Sequence, residues 1–480
     1  MFAVIASVAE AWQLAVTGAD PALWAAPPAA LVFAFSQVVC RRARPSFAQI
    51  LAPLNWVLLA FWFQLVVVPA SVLWFGAARG VLPSLPSVAA MNAALLLAIV
   101  AFVAFCGGLL VPSGGRAELG AGVVRKTPRS LPSIYIGVGM VGLYLAFGGI
   151  GGLIESVRAP ALFQLYSAER SGTVRGVASQ FMRPFMLTGV VLVWSRYIGR
   201  GNRRSRVARI IATTLAALGV LAVGASYGLN RAILVVPLVC MAAAYSVHVS
   251  RLGLPLLVVA AIAGVGPVMF VRVFRTGTAE AHELSSFSSV AGAFDSMGLG
   301  VSDELQTYAQ APQFVGFMLE RAESGASPLM VVNSVLSPVP LVGKSFREMS
   351  GTAFYNRQIY GSGASDQIAP LEGELYLSLG LPGLCLVFVF IGAALSRLNR
   401  AFLAAASPFD SYAAMFVSVW MAYAVQGGIA SIAQTLLYFG PPLMVYRWGS
   451  HGGRARNAGS NGPRWVRRVG CGKASECDNR

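Results

Sequence analysis

Long apolar runs alternate with short polar connections along nearly the whole chain. Runs able to cross about 30 Å of hydrocarbon fall near residues 2–17, 22–40, 51–75, 88–111, 133–150, 181–198, 209–224, 231–249, 253–271, 376–396, 409–428 and 432–447. They predict about twelve transmembrane helices, although the first, seventh and last are short for a span. Strands of a membrane barrel would alternate apolar and polar residues. The stretch 91–111 is apolar at both parities, so the pattern specifies helices and excludes a barrel.

Composition narrows the class further. Hydrophobic residues make up 56% of the 480 and charged residues only 11%, with a mean hydropathy of +0.67. A soluble enzyme, a disordered chain and a disulfide scaffold are excluded on these grounds. The expected fold is an all-α polytopic membrane protein: one transmembrane domain over residues 1–449, and a basic tail over 450–480 that is Gly, Arg and Asn rich and reads as disordered.

The charge distribution sets the threading. With the N-terminus inside, cytoplasmic segments hold 24 of the 36 Lys and Arg, while the opposite face carries 14 of the 19 acids. Lys and Arg gather on the cytoplasmic side, so both termini are expected there. The net charge of +17 is then a topology signal, and nucleic-acid binding is not needed to explain it. Residues 1–18 lack a basic leader and contain Glu10, which reads as a retained membrane anchor rather than a cleaved signal. Of six cysteines, Cys40, Cys106, Cys240 and Cys385 fall in predicted spans and Cys471 and Cys477 in the tail. Neither a disulfide nor a metal-thiolate site is expected.

Two extracytoplasmic segments, 151–180 and 272–375, are too long to be turns, and loops of that size usually carry function. In the larger, an amphipathic stretch at 313–323 precedes a Pro-punctuated apolar run at 328–342, which predicts packing back onto the bundle. In the shorter, Arg158, Arg170 and Arg175, with Arg183 opening the next span, run against the positive-inside trend. Each alone reads equally as a solvated loop charge. Together they supply planar cationic forks suited to holding a diphosphate. Arg231 follows the short connection 225–231 at the membrane edge, beside Tyr227 and Asn230. It either snorkels to lipid phosphate or meets a ligand.

The end of the long loop carries Lys344, Arg347, Tyr355, Arg357 and Tyr360, then Glu372 and Glu374 immediately before the tenth span. A carboxylate at the mouth of a bundle can act as a base on a sugar hydroxyl. It can equally be a helix-start acid favoured by the macrodipole. His282 is the only extracytoplasmic histidine and reads as a surface residue. There is no Gly-rich phosphate loop, no His or Cys cluster, no metal site and no cofactor motif, so the energy for any chemistry must arrive with the substrate.

These features resemble the oligosaccharide repeat-unit polymerases of bacterial surface polysaccharides, the O-antigen polymerase family. The resemblance rests on the span layout, the two enlarged arginine-bearing outer loops, the Gly-Leu-Asn-Arg connection ending at Arg231, and two loose motifs. One is Pro370, Glu374, Tyr376, Gly380 and Gly383. The other is the Pro-rich run from Pro338 to Lys344. Leu379 stands where an aromatic commonly precedes the glycine, a conservative departure.

Membership would imply a GT-C-like bundle in the bacterial inner membrane, with its active site facing outward. The reaction would be metal-independent, inverting or retaining, and would move a growing glycan from a polyprenyl diphosphate onto the next lipid-linked repeat unit. Glu374 and Arg231 would be catalytic. Arg170, Arg175, Arg183, Asn230, Lys344, Arg347 and Tyr376 would bind diphosphate and sugar. Partners would be the lipid-linked oligosaccharide, membrane lipid, and in the same pathway a chain-length regulator and a flippase. Two other readings stand beside this one: an O-antigen ligase, which would rely on a long-loop histidine, and a polysaccharide transporter, which would show polar residues near the midplane.

Overall fold

The structure is a computed structural model that describes residues 23–43, 51–78, 82, 84–111, 128, 130–149, 151, 173–199, 206–225, 231–249, 306, 312–321, 327–340, 342–360 and 369–458. Every regular element among them is helical. In chain order they are α1 (Ala26–Ala43), α2 (Pro53–Phe75, with a π-helical turn at Phe63–Val67), α3 (Val88–Leu110), α4 (Leu131–Phe147), α5 (Val174–Ile198), α6 (Arg206–Ala225) and α7 (Arg231–His248). Four short helices follow, α8 (Pro312–Arg321), α9 (Leu329–Leu336), α10 (Gly343–Glu348) and α11 (Gly351–Tyr360). Two long ones end the fold, α12 (Leu371–Leu403) and α13 (Pro408–Ala458).

Six segments are long and apolar enough to cross a membrane: Pro53–Phe75, Val88–Leu110, Val174–Ile198, Val207–Gly224, Leu371–Leu403 and Gly427–Trp448. Leu131–Phe147 and Val235–His248 are shorter apolar helices. The protein is therefore a helical membrane protein with six candidate spans among the described residues, against about twelve expected. The run at 22–40 forms α1, which is not among the six. Runs 2–17 and 253–271 lie outside the described residues. The runs at 409–428 and 432–447 are the two helical segments of α13, which meet at a non-helical break at Gly428; the second contains the candidate span Gly427–Trp448.

Boundaries also moved. Thr173 accepts a hydrogen bond from the Gly176 N–H (3.1 Å) and starts α5 at Val174, so the loop expected to reach residue 180 ends sooner and Arg175 is helical. At the C-terminal end, α13 continues to Ala458, past the expected start of the tail at 450.

The centre is aromatic. Phe61 meets Phe102 and Phe105 at ring-centroid distances of 4.9 and 5.2 Å, and Phe388 at 6.1 Å, joining α2, α3 and α12. Outward faces are also apolar, as Phe75, Leu386, Phe390 and Trp448 show by being exposed. In lipid such exposure carries no penalty. Association of spans must then come from close packing and interhelical hydrogen bonds.

Glycine supplies the close packing. A Cβ on Gly108 would lie 2.1 Å from the Val389 carbonyl oxygen, and one on Gly392 would lie 2.2 Å from that of Phe105, so α3 and α12 touch backbone to backbone. On α4, Gly139 and Gly142 make the same allowance for Met186, Met182 and Arg183 of α5. A valine at 392 has nowhere to go, and the expected cost is about 1–3 kcal/mol. Gly392→Val should therefore lower the thermal melting temperature in detergent, while Gly107→Val, which meets open space, should leave it unchanged.

Candidate functional site

Both long C-terminal helices are broken, and the breaks organise the site. In α12, Gly380 has φ 68° and ψ −173°, a conformation that only glycine adopts readily. Pro382, which has no N–H to leave unpaired, opens the second half-helix. A Cβ on Gly383 would lie 2.2 Å from the Leu379 Cβ, so Gly383 lets the chain double back past Leu379. In α13, Gly428 has φ 75° and ψ 178°, which frees the N–H of Ile429 at the start of a new half-helix.

Glu374 takes that N–H. Its Oε2 accepts from Ile429 N at 2.9 Å, and its Oε1 accepts from the Ser334 hydroxyl on α9. Ser334 in turn accepts from the N–H of Gly351 at 3.0 Å, the first residue of α11. One carboxylate thus joins α9, α11, α12 and α13. The fit admits no extra atom. A Cβ on Gly428 would stand 2.5 Å from the Ala369 carbonyl oxygen and 2.9 Å from Glu374 Oε2, and one on Gly351 would stand 2.3 Å from Oε1. Glu374 is only 1% exposed, so it is a member of α12 enclosed by protein, not a residue standing before the span at an open mouth.

Glu372, also 1% exposed, points elsewhere. Two residues along a helix turn the side chain by about 200°. Its Oε1 accepts from the Gln64 side-chain amide on the π-turn of α2, and its Oε2 has no hydrogen-bond partner among the described residues. Between the two acids, Gly373 is covered by Met318 and Val315 of α8. A third polar knot fastens α8 over the bundle. Gln306 Oε1 accepts from Gln313 Nε2 and Ala78 N, both at 2.7 Å, and its Nε2 donates to Ser71 Oγ and the Gly76 carbonyl at 2.9 and 3.1 Å.

The cationic candidates divide. Arg347 is exposed on α10 and lies within electrostatic reach of Tyr438 on α13. Tyr438 donates to the Pro338 carbonyl at 2.9 Å and stacks edge-on with Phe181 at 5.1 Å. Arg175 is exposed, but its Nε donates to the Leu145 carbonyl at 2.8 Å, which satisfies one of the last carbonyls of α4. Arg183 is buried in the α4–α5 contact, with Nε donating to Ser179 O at 3.4 Å.

Tyr376 is 39% exposed and sits off the Glu374 face, so it does not shield that carboxylate. Arg170 and Asn230 lie outside the described residues, as does His282. Arg231 begins α7 and Lys344 lies in α10, but neither side chain is described. Among the described residues no group of three or more His, Cys, Asp or Glu forms a metal-ligand cluster.

Ser334, Gly351, Gly428 and Gln64 were not singled out from the sequence. A glutamine central in an apolar run was the one signal that would have found any of them. No protein family, curated protein or solved structure was found to match this chain.

The Glu374 junction makes a mutational forecast. An alanine at 428 must adopt positive φ and displace the Ala369 carbonyl or Glu374. Gly428→Ala should destabilise by about 1–3 kcal/mol, seen as a lower melting temperature, whereas Gly440→Ala, in open space, should be neutral.

Proposed function

We propose that the chain is a membrane glycosyltransferase of the bacterial inner membrane. It would polymerise polyprenyl-diphosphate-linked oligosaccharide repeat units on the outward face, as the resemblance implies. The observation that carries this reading is convergence. Residues of both loose motifs bond the second half of α13: Glu374 of the first accepts from the Ile429 N–H, and the carbonyl of Pro338, at the start of the second, accepts from Tyr438. The loop helices α9 to α11 that bear Arg347 and Arg357 are fastened there, above the broken spans.

The chemistry follows from the groups assembled. The glycosidic carbon–oxygen bond to the diphosphate breaks, the diphosphate departs with the electron pair, and the acceptor hydroxyl oxygen bonds the anomeric carbon. Its proton goes to a base. Glu374 can take it only where the Ser334 hydroxyl now donates, so α9 moves aside and the acceptor hydroxyl replaces Ser334 on Oε1 while the Ile429 N–H keeps Oε2 in position. Arg347, with Arg231 and Lys344, neutralises the departing diphosphate.

A second reading, a transporter of lipid-linked oligosaccharide, draws support from the broken helices. Discontinuous spans with half-helix N-termini at a polar centre are a transporter feature, and Glu372 with Gln64 puts polar groups inside the bundle.

Purified protein supplied with a defined lipid-linked repeat unit distinguishes these. Polymerisation predicts a ladder of products that Glu374→Gln reduces by about 10²–10⁴-fold. Ser334→Ala should retain the ladder, because the serine only occupies the acceptor's place. Loss of the ladder in Ser334→Ala would instead make Glu374 a structural pin. Arg347→Lys keeps charge but loses the planar fork and should lower the rate about tenfold. Absence of any ladder, with intact repeat units crossing the vesicle membrane, would replace polymerisation by transport.

A further inference from the structure

Neither reading uses Glu372, a fully enclosed carboxyl in the middle of the bundle. Gln64, its partner, is the central residue of the span Pro53–Phe75, equally far from both ends. The π-turn at Phe63–Val67 inserts one residue's worth of rotation there, and single π-turns inside helices recur at functional sites. With it, Gln64 is buried and reaches Glu372 across the α2–α12 contact.

Among the described residues the surroundings of Glu372 offer no counter-charge. The elements packed on α12 are α2, α3, α8, α9 and α13. Helices α2, α3 and α9 contain no charged residue. Helix α8 has only Glu320 and Arg321, both exposed at its far end. In α13 the charged residues and histidine are Asp410 near its start and Arg447, His451, Arg454 and Arg456 near its end, and its tyrosines, Tyr412, Tyr423, Tyr438 and Tyr446, are neutral at neutral pH. On α12 itself Glu374 is engaged by Ser334 and Ile429, and Arg397 and Arg400 lie more than six turns away.

An ionised carboxylate here would be a buried charge with one amide donor and one oxygen without a partner, a costly state. A neutral carboxyl needs far less. Its hydroxyl donates to the Gln64 amide oxygen once that amide is turned over, an orientation that heavy-atom positions do not fix. The carbonyl oxygen that remains is neutral, and leaving it unpaired costs far less than leaving a charged oxygen unpaired. Sodium or another alkali cation would require several oxygen ligands, and Gln64 is the only side chain hydrogen-bonded to Glu372 among the described residues.

We propose that Glu372 and Gln64 form a proton-binding site inside the bundle, separate from the Glu374 junction and independent of the transferase reading. The site holds one dissociable proton on a carboxyl in a span, as a proton-linked step of transfer or transport requires.

Infrared difference spectroscopy of the full-length protein in lipid nanodiscs at neutral pH tests this, because a protonated carboxyl has a carbonyl stretch apart from carboxylate bands. The wild type should show that band. Glu372→Gln should abolish it, and Gln64→Ala, which leaves the acid in place, should shift it as the hydrogen bond is lost. Glu374→Gln should leave it unchanged. Absence of the band in the wild type overturns the proposal, as does its persistence in Glu372→Gln. Disappearance of the band when sodium chloride replaces choline chloride would make this a metal-cation site and overturns it equally.

Discussion

A carboxylate removed from water must find donors, and this fold is arranged around finding two for Glu374. The donors come from places that ordinary helices do not offer. One is a backbone N–H released by breaking α13 at Gly428, and the other is a serine on a loop helix laid over the bundle. In a bundle whose outward faces rest on lipid, apolar burial gives little preference for one arrangement of helices over another. Directional bonds at such a point therefore fix where α9 and α11 lie relative to α12 and α13. The Gln306 knot fixes α8 in the same way against the end of α2.

Glycine completes the constraint from the steric side. Positive φ at Gly380 and Gly428 turns the chain, and the missing Cβ at Gly351 and Gly428 leaves room for the carboxylate. This gives physical content to the motif that first drew attention. Pro370 precedes the first turn of α12, Glu374 takes the freed donors, Gly380 breaks the helix, and Gly383 accepts the folded-back Leu379. The branched leucine at 379 packs against Gly383 directly, so the departure from an aromatic is accommodated by contact at that glycine. Of the five motif residues only Tyr376 is left without a structural part of this kind.

What was legible in the sequence was what composition and periodicity control. Apolar runs gave helices, as the runs at 51–75 and 88–111 gave Pro53–Phe75 and Val88–Leu110. Glu374 and the Pro338 to Lys344 run were visible as polar or Pro-rich marks in an apolar context. What was hidden was long-range. Ser334 is one serine among many until α9 is laid on α12, and Gly351 and Gly428 are two of 51 glycines. The π-turn at Gln64 has no local signature at all. The carbonyls of Leu145 and Ser179, to which Arg175 and Arg183 donate, are backbone atoms that no side-chain pattern reveals. Six of the expected spans are long, apolar helices among the described residues, and hydropathy alone does not show that the last two runs meet at a glycine break.

The two acids of α12 show why burial alone does not assign a role. They are equally enclosed and two residues apart, yet one is saturated with donors and the other has a single partner. A saturated carboxylate holds structure together and becomes reactive only when a donor is exchanged, which for Glu374 means replacing a hydroxyl by a hydroxyl. On the proposed transferase reading that exchange is nearly balanced in hydrogen bonds at the carboxylate, so a sugar hydroxyl in place of Ser334 would not strand its charge. The under-satisfied Glu372 has no such exchange available from its described neighbours, and the simplest species that relieves it is a proton. Enclosed acids on opposite faces of one short half-helix can thus serve different chemistries, because what decides between them is the donors each face brings.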